Sequence, residues 1–409
     1  MSRAALAQPL IVVTSWGVLG GFLLGLLFVA ITIAGFFYWK VVRSADRLSL
    51  PSLIAIVAVV LAAAWCVPVL FSSDVYAYAA YGELAAIGLN PYAHAPAGSL
   101  DPLLLGATRQ WGSAFPICVY GPAFVGLMRA VISALAPLGT LAQLDGIRLF
   151  ASAALVVCAP LAYVAFPGER AAKLRAAATI ASNPVAIWCA AEGHNDAIAL
   201  AIVLAGFALA RRGLVGIGAT IVAFSALVKL PGAIAAIALG SIERPARFGT
   251  VIGIALAALF SIPLFIGIAT NFAPHARYGA QASLQGIFVP FSTPLALVIA
   301  SGVSAGLAVC GTVRLRSGKS EGWVWLGLAL WVLIPNPYPW YGLWLVALAA
   351  LAPRTRAATS AILLSFTALL RYIPDAVGPP SPAQAVALSV LAALPLLALR
   401  PRWYNERPE

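Results

Sequence analysis

The residues that could do chemistry in this chain fall into a few short stretches. Asp74 opens a polar segment, Phe71–Pro96, that also carries Tyr76, Tyr78, Tyr81, Glu83, Asn90, Tyr92 and His94. Farther along, Glu192-Gly193-His194-Asn195-Asp196 crowds two carboxylates and an imidazole into one tight turn. A carboxylate or an imidazole can take the proton from a hydroxyl as that hydroxyl attacks, so Asp74, His194 and Asp196 are candidates for acid–base work. Lys229, Arg277 and Arg371 offer cations of the kind that bind phosphate oxygens. Pro335, Pro337 and Pro339 forbid continuous helix and frame a rigid turn presenting Tyr338, Trp340 and Tyr341. Plainer roles exist for each. Asp74 could cap a helix beside an aromatic belt, Asn195 or Asp196 could cap the next helix, and Lys229 could snorkel to water. Glu, His, Asn and Asp together exceed what one helix cap requires.

The elements that must position these groups are helices in lipid. Of 409 residues, 62% are hydrophobic and 9% charged, and the mean hydropathy is +0.97. A soluble domain carries about 25% charged residues. Continuous apolar runs recur throughout, many long enough to cross about 30 Å of hydrocarbon as helix. They do not alternate as barrel strands do, so the expected fold is an all-α polytopic membrane protein with about 11–13 transmembrane helices. We expect one integral membrane domain over 1–409: two spans in 11–70, an outer catalytic loop with juxtamembrane helices in 71–147, further spans in 148–400 and a cytoplasmic tail in 401–409. The first apolar run, Ile11–Trp39, is too long for a signal-peptide core and reads as a retained span. Cys66, Cys118, Cys158, Cys189 and Cys310 are scattered without a CxxC and read as buried thiols.

The formal net charge of +12 is distributed as a membrane protein distributes it. Clusters such as Lys40/Arg43/Arg47, Arg170/Lys173/Arg175 and Arg314/Arg316/Lys319 lie between apolar runs, the pattern of cytoplasmic loops and anionic headgroups, and not of nucleic-acid binding. With those loops inside, His94, His194 and His275 all fall on the outer side, as do Asp74, Glu192, Asp196 and Asp375. Keeping this orientation requires Val119–Pro137 to return as a juxtamembrane or re-entrant helix. The Lys and Arg residues outside the clusters are Arg3, Arg109, Arg129, Arg148, Lys229, Arg277 and Arg371. Ionisable groups in or near a bilayer are costly and usually serve a function or a partner.

Four motifs in order, "DVYAYAAYGELAAIGLNPY" (Asp74–Tyr92), "GHND" (Gly193–Asp196), "ALVKLPG" (Ala226–Gly232) and "PWYGLW" (Pro339–Trp344), resemble bacterial membrane mannosyltransferases that use polyprenyl-phosphate-mannose, of the GT-C class. The resemblance implies a GT-C-like helical fold, a catalytic aspartate at Asp74, and a turn of His194, Asn195 and Asp196 facing the same cavity. Where that family often has Tyr-Pro-Pro, this chain has Tyr120-Gly121-Pro122. The implied reaction is inverting transfer of a hexose, mannose first, from a polyprenyl-phosphate-sugar donor to a glycan or glycolipid acceptor. It would take place on the outer, periplasmic face of a bacterial cytoplasmic membrane.

Such a reaction needs one base, because a phosphate leaves as a stable anion and requires no general acid; a glycosidase needs two carboxylates. Asp74 is then the base, with His194 as the alternative, and His194 and Asp196 otherwise orient the sugar or acceptor. Lys229, Arg277 and Arg371 are expected at the donor phosphate. Substrate contacts are expected from Tyr76, Tyr78, Asn90, Tyr92, Tyr120, Asn195, His275, Tyr338, Trp340 and Tyr341. No metal spacing or nucleotide-binding glycine motif is present in the sequence, and no cofactor is expected. The competing classes are a transporter or flippase of a lipid-linked sugar and a non-catalytic assembly protein. Asp74→Asn separates them, since only an enzyme should lose sugar transfer while inserting normally.

Overall fold

A computed structural model describes residues 18–72, 74–96, 117–272 and 279–399. His275 and Arg277, expected at the substrate, lie outside the described residues. Among the described residues the protein is helical without strands, as expected of an all-α polytopic membrane protein. Among the described residues five helices are long and apolar enough to cross a membrane, and two bent pairs bring the number to 7 if each pair is one span. Shorter apolar helices make up the remaining runs. The chain forms two compact units, 1–278 with 372–378, and 279–371 with 379–409.

In the first unit, α1 (Val18–Arg43) and α2 (Leu50–Trp65) precede α3 (Asp74–Ala86). Pro122 starts α4 (Pro122–Leu135), where its missing N–H costs nothing, and α5 (Thr140–Ala165) follows. Helix α4 is the segment expected to return toward the outer side; it packs on α3, and its Arg129 is exposed. Then come α6 (Arg170–Ala181) and α7 (Pro184–Ala191), the latter capped by the Asn183 side chain, which accepts from the Val185 and Ala186 N–H groups. A bend of 116° separates α7 from α8 (Asp196–Arg211). The remaining helices are α9 (Val215–Phe224), α10 (Pro231–Ile242), α11 (Ala246–Phe260) and α12 (Ile262–Gly267). The short helix Tyr372–Val377 packs against α1.

Lipid gives helices little hydrophobic reason to associate, so close packing of small residues matters more. A Cβ on Gly206 of α8 would lie 2.6 Å from the Gly218 carbonyl oxygen of α9, and one on Gly82 of α3 would lie 2.9 Å from the Met128 backbone of α4.

The second unit contains α13 (Thr293–Arg316), α14 (Glu321–Val332), α15 (Gly342–Ala349), α16 (Arg356–Thr367) and α17 (Pro382–Ala393). Val324, Leu328, Val332, Leu345, Ala349 and Leu364 form its core.

Candidate active site

Asp74 is the first residue of α3 and is 8% exposed. Its Oδ2 accepts from the Tyr78 hydroxyl, one helical turn on, at 3.3 Å, and from the Tyr120 hydroxyl at 3.4 Å. The Asp74 N–H donates to Ser72 Oγ at 3.3 Å. The Tyr78 ring meets those of Tyr120 and Phe124 edge-on, both with centroids 4.8 Å away, which fixes where its hydroxyl points. Upstream, Phe71 has φ +63°, an uncommon conformation for a bulky residue that costs on the order of 1 kcal/mol or more. That kink turns the chain from α2 into Asp74.

The imidazole of His194, 2% exposed, approaches the same carboxylate, with Nδ1 3.4 Å from Asp74 Oδ2. Its Nε2 lies 3.8 Å from Glu192 Oε2. The 116° bend depends on Gly193, whose φ of +96° suits glycine and where a Cβ would lie 3.1 Å from Val75 Cγ2. Glu192, 3% exposed, accepts from the Leu70 N–H at 2.9 Å and from the Tyr372 hydroxyl at 3.2 Å.

Arg148 of α5 holds the frame. Its Nε donates to the Ala191 carbonyl at 2.7 Å, and Nη2 donates to the carbonyls of Trp65 and Val67 at 2.8 and 3.0 Å. One guanidinium thus caps the C-terminal ends of α2 and α7, where the helix dipole favours a cation. The chain entering Asp74 and the turn bearing His194 are fastened to the same side chain.

Asp196, 1% exposed, begins α8 and pairs with Lys229 at 2.5 Å. Lys229 was expected at the donor phosphate; here its ammonium is engaged by a buried carboxylate. Asn195 is fully buried, and its side-chain amide has no hydrogen-bond partner among the described residues. The Lys229 loop is docked by Gly121, whose N–H donates to the Val228 carbonyl at 3.3 Å and whose Cβ, if added, would lie 2.1 Å from the Leu227 oxygen. Proline at this position would lose that hydrogen bond and cause that clash, so glycine fits the close approach.

The structure distributes the other expected residues unevenly. Tyr92 donates to the Tyr120 carbonyl at 2.9 Å, and burial raises its phenol so that it stays neutral. Cys118, whose N–H donates to the Pro91 carbonyl at 2.9 Å, has its thiol pushed up to about 12 by burial. Asn90 is exposed, and its side-chain oxygen caps the Tyr92 N–H in a local turn. Tyr76 and Tyr78 are buried at 2% and 0% exposure, which excludes an aromatic belt at the headgroups for this pair.

In the second unit, Arg371 donates to the Tyr338 hydroxyl at 2.8 Å and lies 4.6 Å from that ring's centroid. Tyr338 stacks on Trp340 at 4.5 Å and 10°. Among the described residues, no group of three or more His, Cys, Asp or Glu could hold a metal ion.

Three residues of this framework had no assigned role in the sequence reading: Glu192, Tyr372 and Arg148. The signal for Arg148 was its charge within an apolar run, and for Glu192 its place in an overcrowded turn.

The fold defines a polytopic helical membrane protein, and the sequestered ionisable groups set it apart from a plain membrane anchor. Residues 3–243, more than half of the chain, match the family model described as alpha-(1->6)-mannopyranosyltransferase, N-terminal domain, and the chain belongs to that family. It is a membrane glycosyltransferase of mannosyltransferase type. Alpha-(1->6)-mannopyranosyltransferase A of Mycobacterium tuberculosis is 25% identical over 357 residues, covering 76% of this chain and 68% of the relative. No solved structure matches.

Proposed function

We propose that this mannosyltransferase takes mannose from a polyprenyl-phosphate-mannose donor and passes it to a glycan or glycolipid acceptor on the outer face of the bacterial cytoplasmic membrane, with inversion at the anomeric carbon. The observation that carries the reading is the sheltered Asp74 carboxylate, steadied on Oδ2 by two tyrosine hydroxyls. In the reaction, the acceptor oxygen attacks the anomeric carbon, its proton passes to Asp74, and the bond to the phosphate oxygen breaks. The polyprenyl phosphate leaves as an anion without needing an acid.

His194 and Asp196 orient the reacting groups, and the Asn195 amide supplies hydrogen bonds to the sugar. Lys229, Arg277 and Arg371 serve the donor phosphate; Lys229 does so while shared with Asp196. Tyr76, Tyr78, Asn90, Tyr92, Tyr120 and His275 border the substrate path, and Tyr338, Trp340 and Tyr341 line a groove for donor or acceptor.

The test uses purified protein in lipid vesicles with radiolabelled polyprenyl-phosphate-mannose and a mixed glycolipid extract. Wild type should move label into a product of anomeric configuration opposite to the donor's, and Asp74→Asn should not. Equal transfer by both proteins would remove Asp74 from the chemistry. No transfer by either would reject this donor and acceptor class.

A further inference from the structure

Glu192 is the most enclosed carboxylate that the proposed reaction leaves without a task. Its two oxygens face different parts of the site: Oε1 takes the Leu70 N–H, four residues before Asp74, while Oε2 takes the Tyr372 hydroxyl. The same Oε2 lies 3.8 Å from His194 Nε2, and His194 Nδ1 lies 3.4 Å from Asp74. Capping α7 does not require this. Arg148 already occupies the Ala191 carbonyl, and the carboxylate at the α7 C-terminus has the unfavourable sign for the helix dipole. A buried carboxylate opposed by that dipole is costly unless a nearby cation or proton uses it.

We propose that Glu192 is a positioning residue that acts through His194: it fixes the ring between two carboxylates, so that His194 takes on the proton that Asp74 removes from the acceptor. This rests on the reading of Asp74 as the base. The proton goes from the acceptor hydroxyl to Asp74 Oδ2 and then to His194 Nδ1. The product is an imidazolium facing Glu192, and Asp74 is restored as a carboxylate. No other co-reactant is needed.

The charged groups around His194 are Asp74 from α3, Glu192 from its own turn, Arg148 from α5, Asp196 at the start of α8 and, paired with it, Lys229 from the loop before α10. The neutral titratable groups nearby are the phenols of Tyr78 and Tyr120, which donate to Asp74; Tyr372, which donates to Glu192; and the Cys189 thiol, whose backbone carbonyl accepts from the His194 N–H. Asp74 and Glu192 both come within 4 Å of the ring.

The experiment compares wild type, Glu192→Gln and Glu192→Asp in lipid nanodiscs by two readouts. The first is an imidazole nitrogen NMR titration. The chain has only His94, His194 and His275, so His194→Gln assigns the signal. An anion beside an imidazole raises its midpoint, and its removal in Glu192→Gln should lower the His194 midpoint by about 1 pH unit. Glu192→Asp, which keeps the charge one methylene farther back, should fall between. The second is the transfer rate as a function of pH. The acid limb should move to lower pH with the His194 midpoint, kcat should fall about 10- to 100-fold, and KM should stay nearly constant.

A His194 midpoint unchanged in whichever variant folds overturns the proposal. So does a uniform loss of rate with the pH profile unmoved, because that is what a purely structural role gives. If wild type itself transfers nothing, the donor assignment fails, and the titration still decides whether Glu192 acts on His194.

Discussion

The cluster around Asp74 and the cluster around Arg371 both set tyrosine against a charged group, and they are held in different ways. At Asp74 the charge is met by hydroxyls from α3 and from the segment before α4, and the neighbouring Glu192 carboxylate and Arg148 guanidinium are tied to backbone elsewhere. At Arg371 the guanidinium meets Tyr338 twice, with the hydroxyl as hydrogen-bond partner and the ring face beneath it, and that ring is stacked on Trp340. The first arrangement fixes donors and acceptors at defined points, as proton transfer requires. The second sets a guanidinium on the face of an aromatic stack. Under the proposed function, the first is the place where bonds change and the second a place where the donor is held.

Substitutions that ought to hit the two clusters differently will break or sharpen that contrast. The largest effect is expected for Asp74→Asn, a loss of about 10²- to 10⁴-fold in transfer with little change in thermal unfolding; a loss of insertion or folding instead would make Asp74 structural. Next comes the pair beside it. Lys229→Met should strand the buried Asp196 carboxylate and destabilise the protein by about 3–5 kcal/mol, while Lys229→Met with Asp196→Asn should recover much of that in the same unfolding assay.

A double variant no more stable than the single would show that the ion pair is not what holds the Lys229 loop. Gly121→Ala should cost about 1–3 kcal/mol and lower transfer as well, since the loop must move off the new methyl group. Smallest is Tyr338→Phe, which keeps the stack on Trp340 but removes the hydroxyl from Arg371. About 1–2 kcal/mol is at stake there, read as a rise in donor KM with kcat held. A fall in kcat alone would move Tyr338 into the chemistry.

The helical membrane fold was legible in the sequence because long apolar runs admit few alternatives in lipid. Gly, Pro and Asn marked several ends, as at Asn183-Pro184, which caps α7, and Gly121-Pro122, which opens α4. The residues flagged for chemistry were also legible by type, since ionisable side chains are conspicuous in an apolar chain. Their partnerships were not. Lys229 and Asp196 were assigned separate tasks because nothing in their spacing says that α8 and the loop before α10 place one against the other. Tyr372 lies 180 residues from Glu192, and only packing joins them. The tyrosines after Asp74 matched the composition of an interfacial belt, and their burial depends on α4 folding back over α3, a contact that the glycine at position 82 permits. Tyrosine type carries no sign of which neighbour will cover it.

Arg148 has a consequence for how the protein is made. A ribosome delivers Trp65 and Val67 before this arginine and Ala191 after it, so the guanidinium meets its carbonyl partners in two stages. When α5 first enters the bilayer, the end of α2 is already there to receive the charge, and the first half of the clamp can close. The second half must wait for α7, and until then the turn carrying His194 has no fixed address. Biosynthetic order therefore bears on the proposed reaction centre: the two halves of the clamp meet at one side chain, and the second can close only after α7 is made.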